Sequence, residues 1–346
     1  MNEPLALSRY TASTELTLLQ EAELQRRQQE FLAAASSENT RRSYRSAIRH
    51  FLKWGGQLPC DSGLILRYLL SHAGQLNPRT LALRLTALSQ WHKFQGFTDP
   101  CEHADIRLSL RGMQRSLGRP ARQAQALNPE TLNQLLIHFA QNKGIRARRD
   151  AALFQIGFYG AFRRSELAAL DISDLQFSAE GVVIKLRRSK TDQELKGSYK
   201  AIPYAELNSE TWAATGLEPS YFCPVLALQA WLADAGLKSG PVFRQINRWQ
   251  QVSELGLHAG SISQLLKQAL ASIGTANPQN YSAHSLRRGL ATHAHRAGAS
   301  LQEIKRQGGW RHDATVQMYI EEAKLFSENA ASKLLQSNKT IKQTDN

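Results

Sequence analysis

Cysteine is scarce in this sequence. Its three residues, Cys60, Cys101 and Cys223, are odd in number and far apart. That excludes a disulfide framework and a cysteine-based zinc site, and it fits a reducing cytoplasm. Long apolar runs are missing as well: none approaches the roughly 20 residues that span a bilayer. Residues 1–19 lack a basic segment followed by an apolar core, which argues against secretion. Carboxylates are outnumbered, with 29 Asp+Glu against 43 Lys+Arg in 346 residues, a formal net charge of +14. No dense Asp/Glu/His constellation of the kind two-metal phosphoryl transfer needs stands out. Asp171 and Asp174 read as the start of a turn. His293 and His295, at i,i+2, fall on opposing sides of a helix. Neither a metal nor a cofactor is expected. Internal repeats and low-complexity blocks are also absent.

What is present is enough apolar material for folded domains. Hydrophobic residues make up 42% of the chain, too many for a disordered polycation, and the length suits two cores. The positive excess calls for an anionic partner, nucleic acid ahead of an anionic membrane. Residues 1–35 read as a polar helical extension. Ser36 to Thr40 is a helix start signal. In the helix that follows, Arg41, Arg42, Arg45, Arg49 and Lys53 fall within roughly 120° of arc, opposite Tyr44, Ala47, Ile48, Phe51 and Trp54. From Thr40 to Trp54 that basic face carries no carboxylate, as a helix laid along DNA phosphates would. Helices near 62–72, 78–94 and 105–116 complete an all-α DNA-binding domain over 36–115, to which Arg79 and Arg84 add charge. From Gly112 to Ala126 apolar content drops. Residues 116–127, with Arg119 and Arg122, read as a basic linker.

A second domain spans 128–336, before a disordered tail at 337–346. It opens on the helix start Asn128-Pro129-Glu130. Residues 181–188 alternate as a strand, with 198–204 as its hairpin partner. Helices dominate after Val225. The fold class is therefore mainly α with a small β-sheet in the second domain. Four segments there concentrate polar groups: Gly160 to Leu167 with Arg163 and Glu166, the hairpin residue Lys190, His284-Ser285-Leu286-Arg287, and Gly308-Gly309-Trp310 with Tyr319 nine residues on. His284 and Arg287 share a helical face and should point away from the core together.

The order and spacing of these segments resemble the tyrosine recombinase (phage integrase) family, over nearly the whole chain. The matching pattern is Phe162-Arg163-Arg164-Ser165-Glu166-Leu167, a hairpin lysine, His-x-x-Arg, Gly-Gly-Trp and Met318-Tyr319-Ile320. Most members carry His where this chain has Trp310, so it looks like the Cre-like variant. His312 lies two residues off the pattern. The resemblance implies an all-α core-binding domain and an α+β catalytic domain. It also implies that Tyr319 attacks a DNA phosphate to give a 3′-phosphotyrosine, and that Lys190 is the general acid. Arg163 and Arg287 supply planar forks to the phosphate oxygens, with further hydrogen bonds from His284 and Trp310. Glu166 orients Arg163 or His284. Arg164 and Arg288 are structural or backbone-binding neighbours, and Tyr199, Tyr204, Tyr221 and Tyr281 are rival nucleophiles lacking the spacing.

The partners so implied are double-stranded DNA bearing an inverted-repeat core site, a homo-tetramer on two such sites, and an accessory DNA-bending protein. A terminal amphipathic helix over 321–335 could bury itself in cis, but the resemblance favours docking on a neighbouring protomer. The short 1–35 extension suggests a simple cytoplasmic, nucleoid-associated recombinase without an arm-binding domain. Rival readings are a catalytically silent DNA-binding protein on the same fold and a type IB-like topoisomerase. RNA binding would explain the charge but not the six-residue constellation.

Overall fold

The computed structural model describes residues 26–27, 37–119, 123–142, 144–187, 198–206, 216–324 and 331. The expected extension over 1–35, apart from residues 26–27, and the tail at 337–346 lie outside them, as do Lys190 and Arg122. The chain divides into two compact units, residues 1–122 and 123–346.

The first unit is helical, with α1 at Glu38–Trp54, α2 at Ser62–Ser71, α3 at Pro78–Phe94 and α4 at Ala104–Ser116. Each of the first three starts on a side-chain cap: Ser37, Asp61 and Asn77 accept from backbone N–H groups of the first turn. Phe51, Ile65, Tyr68, Leu69, Leu81 and Leu88 form the core, at roughly 1.5–3 kcal/mol for each such side chain taken from water. Two expectations change here. The helix begins at Glu38, so a carboxylate does reach the basic face, pairing with Arg41 at 2.8 Å and Arg45 at 2.9 Å. Ser116, the first residue of the expected linker, instead closes α4 as the helix reading over 105–116 has it, and the low apolar content from Gly112 onward reflects an exposed helix face.

The second unit runs α5 (Pro129–Gln141), α6 (Ile145–Tyr159), α7 (Arg164–Ala168), β1 (Leu175–Phe177), β2 (Gly181–Leu186), β3 (Ser198–Pro203), α8 (Pro224–Asp234), β4 (Arg244–Ile246), β5 (Val252–Gly256), α9 (Ala259–Ser272), α10 (Ala283–Arg296), α11 (Leu301–Gly308) and α12 (Asp313–Lys324). Asn128 caps α5. Strands β1–β2–β3 form an antiparallel sheet, with Ile184 opposite Lys200. The β4–β5 hairpin went unanticipated among the helices after Val225. Its strands are short, and β5 has no alternation of buried and exposed residues to reveal it. At the centre lies α6, whose residues Ala151 to Phe158 are all buried, as expected of a helix apolar all round. Residues 123–127 also belong to this unit. Leu127 is fully buried, and its N–H donates to the Ser285 carbonyl at 3.0 Å. A second, smaller core gathers Ala161, Ala291, Ile304, Trp310, Val316, Tyr319 and Ile320. That core carries the candidate site.

Candidate active site

The central helix α6 delivers the first arginine. It ends at Gly160, and Ala161 then takes the left-handed φ of 46°, a conformation costly for a residue with a Cβ. This sharp turn sets Arg163 at the N-cap of α7. Glu166, three residues on and 5% exposed, holds it twice. Oε1 accepts from Arg163 Nη1 at 2.5 Å, and Oε2 from the Arg163 backbone N–H at 2.9 Å. Within Arg163 both the guanidinium and the main chain are thereby fixed. Of the two partners weighed for Glu166, this is the arginine.

The second arginine comes from α10, whose start is capped by Ser282. Here the expectation fails in part. His284 is exposed, but Arg287 is only 2% exposed and does not point to solvent. The shared face of α10 is covered by the turn between α11 and α12. The Arg287 Nη1 group donates to the carbonyls of Ala161 at 2.5 Å and Gly308 at 2.6 Å, while its buried Nη2 has no hydrogen-bond partner among the described residues. An orphaned guanidinium donor is costly, and an incoming anion would relieve that cost. Burial and then the charge of Arg163 lower the Arg287 pKa to about 10, so it stays a cation at neutral pH.

The turn itself explains the paired glycines. Gly309 ends α11 at φ 64°, where L side chains are strained. A Cβ on Gly308 would lie 1.7 Å from the Trp310 ring, so glycine there admits the indole. Trp310 then lies under the Arg287 guanidinium at 4.1 Å, a cation–π contact. Beyond it, α12 brings Tyr319 in, 4% exposed, with its ring 5.9 Å from that of Trp310. The Tyr319 hydroxyl lies 3.2 Å from His284 Nε2. Although the residue as a whole is exposed, partial burial of the imidazole beside Tyr319, and then the charges of Arg287, Arg288 and Arg163, hold it below its ordinary pKa. It is therefore neutral at physiological pH, with a lone pair available for a proton.

Arg163, Glu166, His284, Arg287, Trp310 and Tyr319 thus meet in one place, although up to 156 residues separate them. Two residues join them: Arg288, which the sequence marked only as a structural or backbone-binding neighbour, and Lys200, which no motif signalled. Arg288 is buried, donates to the Ala124 carbonyl, and stands 5.4 Å over the Tyr319 ring. Lys200, also buried, donates to the Gln307 carbonyl. Strand alternation could have found it, since it lies in phase with buried Ile202. Two rival tyrosines are engaged elsewhere: Tyr221 beneath Arg148, and Tyr204 as an acceptor for Gln229.

In the first unit, Arg42, Arg45, Arg49, Lys53, Arg79 and Arg119 are exposed, and Arg41 is half-buried. Arg84 turns inward, donating to the His50 ring at 2.8 Å and the Tyr68 hydroxyl at 3.3 Å. The residue is half-buried, and its Nη1 is committed to a histidine–tyrosine cluster. Among the described residues no group of three or more His, Cys, Asp or Glu is placed to hold a metal ion, and no helix is long and apolar enough to cross a membrane.

A profile of the phage integrase family matches residues 224–325. The integrase/recombinase xerD homolog of Selenomonas ruminantium is 31% identical over 311 residues, covering 88% of this chain and 87% of that protein. Recombinase cre of Escherichia phage P1 is 26% identical, covering 81% and 80%. In fold, the chain is similar to the XerH site-specific recombinase bound to palindromic difH substrate in a post-cleavage complex. That likeness has a TM-score of 0.54 and 19% identity, covering 82% of this chain and 75% of the other. With the Arg163, His284, Arg287 and Tyr319 cluster carried on this fold, and with that relative matched over most of both lengths, the chain belongs to the phage integrase, or tyrosine recombinase, family.

Proposed function

We propose that this protein is a site-specific DNA recombinase that cuts and rejoins duplex DNA through Tyr319. The observation that carries the reading is the convergence of the Tyr319 hydroxyl and the neutral His284 imidazole beside a buried arginine with an unmet donor. In the first step His284 Nε2 accepts the Tyr319 proton as the phenolic oxygen attacks phosphorus. The P–O5′ bond breaks, the 5′-oxygen leaves with a proton from Lys190, and a 3′-phosphotyrosine remains. Lys190 takes this role by family resemblance. Arg287 and Arg163 stabilise the charge that builds on the phosphorane oxygens, where planar guanidinium forks match two oxygens each. Trp310 holds Arg287 from below. Rejoining reverses these steps, because the covalent link conserves the energy of the broken bond. No metal or nucleotide enters the scheme. The Gly-Gly-Trp ahead of Tyr319 makes it a Cre-like variant. The further partners are a second DNA site and three more copies of the chain. The exposed cations of α1 meet phosphates.

The test uses the protein's own site, selected with the Tyr319→Phe variant from a library of randomised duplexes. A nicked version of that duplex is incubated with each protein in EDTA. Wild type should give a covalent protein–DNA band and Tyr319→Phe none, with duplex affinity within a few-fold. A band from Tyr319→Phe would remove Tyr319 from its role. Tight binding with no band from wild type would favour a silent DNA-binding protein.

A further inference from the structure

One buried cation plays no part in the scheme above. Lys200 lies on β3, paired with Ile184 of β2 and 3% exposed. Its ammonium donates to the Gln307 carbonyl and stands 5.1 Å over the Phe162 ring. The Gln307 side chain reaches back the other way, donating to the carbonyls of Ala201 at 3.0 Å and Tyr159 at 2.8 Å. Gln307 is thus tied to the sheet by both its main chain and its side chain, and to α6 by its side chain.

The next two carbonyls extend the pattern. Gly308 O accepts from Arg287 at 2.6 Å, and Gly309 O from Arg163 Nη2 at 3.4 Å. Three successive carbonyls at the end of α11 are therefore held by three cations from three different elements. The negative end of the helix dipole favours cations there. Two of the three are the arginines that the proposed reaction turns toward phosphate. The third is buried between the Phe162 ring and the Gln307 carbonyl.

Holding an ammonium in that place is unfavourable. Burial first and the charge of Arg287 second lower the Lys200 pKa to about 7, Arg163 adding to the effect and Glu166 opposing it. Methionine would fill similar space without desolvating a charge. What methionine lacks is a donor for the Gln307 carbonyl.

We propose that Lys200 is a positioning residue for DNA cleavage: it anchors the end of α11, so that the Gly308–Trp310 turn keeps its place while Arg287 and Arg163 engage the phosphate. Trp310 lies against Arg287, and α12, which carries Tyr319, starts three residues after Trp310. A turn released from Lys200 would let both drift, and misplacement by about 1 Å at a reacting group is enough to cost on the order of 100-fold in rate.

This inference rests on the recombinase reading, so its test has two arms in the full-length protein. Lys200→Met removes the donor, and Lys200→Gln restores a neutral one. The first arm uses the nicked selected duplex. Lys200→Met should bind it within threefold of wild type and form the covalent complex at least 20-fold more slowly at saturating protein. Lys200→Gln should recover much of that rate. The second arm is amide exchange without DNA. The Gly309 and Trp310 N–H groups, bonded to the Arg306 and Lys305 carbonyls, should exchange at least tenfold faster in Lys200→Met, with α6 unchanged. Cleavage by Lys200→Met within threefold of wild type would overturn the proposal. So would unchanged exchange at Gly309 and Trp310, or an equal rise in α6, which would mean general destabilisation. If wild type forms no covalent complex, the recombinase reading fails, and the exchange arm alone decides whether Lys200 anchors the turn.

Discussion

The hydroxyl of Tyr319 lies 3.2 Å from Nε2 of His284, across 35 residues of chain. The histidine is exposed at the start of α10, and the tyrosine is nearly buried on α12. The geometry joins a phenol to an imidazole whose pKa is lowered, first by burial and then by the charges of Arg287, Arg288 and Arg163.

This pairing sets a pH dependence. The neutral imidazole accepts the proton, and its pKa is held below the usual value of 6.5, so the base form persists further into acid than for a free histidine. The cleavage rate of wild type should therefore have its acidic midpoint below 6.5, at lower pH than a free histidine would set. His284→Ala should lower the rate by roughly 10²–10⁴, the usual contribution of a positioned base, and lose that acidic limb. Single-turnover rates against pH on the nicked duplex measure both. A wild-type rate that fell by half near pH 6.5 would contradict the assignment.

The two glycines before Trp310 should respond differently to alanine. At Gly308 the new Cβ would lie 1.7 Å from the indole, whereas at Gly309 nothing stands within 4 Å and only the φ of 64° objects. Gly308→Ala should displace Trp310 from Arg287, cost about 1–3 kcal/mol by overpacking, and reduce cleavage at least tenfold. Gly309→Ala should cost about 1–2 kcal/mol of backbone strain with a smaller loss of cleavage. Thermal unfolding and covalent-complex assays on the two variants separate the effects. Equal rate losses would show that the indole contact is not what matters.

Among the cations of the first unit, exposure should decide which ones meet DNA. Arg42→Ala and Arg49→Ala each remove an exposed guanidinium, and each should flatten the slope of log affinity against log salt by about 0.9. Arg84→Ala removes donors to His50 and Tyr68 instead. It should leave the slope unchanged and cost about 1–3 kcal/mol of stability. Binding titrations across a salt series, paired with melting curves, test the contrast. A reduced slope for Arg84→Ala would show that it leaves its cluster to bind phosphate.

Local signals made much of this fold legible. Ser37 and Asn128 announce helix starts, α3 begins at Pro78 as its proline predicts, and the alternation of β2 marks a strand. The order of the arginine, histidine and tyrosine segments was legible too, because each is a short motif. What the sequence hid depends on contacts between distant segments. Arg287 shares a helical face with His284, yet the α11–α12 turn covers one and not the other. The strand alternation places Lys200 on the buried face, but nothing local reveals its acceptor, Gln307, 107 residues away. Glu38 lies just outside the helical window that read as purely basic, and only the true helix start brings its carboxylate among Arg41 and Arg45. The β4–β5 hairpin is too short and irregular to show a period of two.

The central claim is that Tyr319 becomes covalently bonded to DNA. The most direct measurement is to trap wild type on the nicked selected duplex, digest protein and DNA, and locate the nucleotide-bearing peptide by mass spectrometry. The account predicts a single modified peptide containing Tyr319, with the nucleotide joined through its 3′-phosphate to the phenolic oxygen. Attachment at Tyr199, Tyr204, Tyr221 or Tyr281, or through a 5′-phosphate, would contradict it.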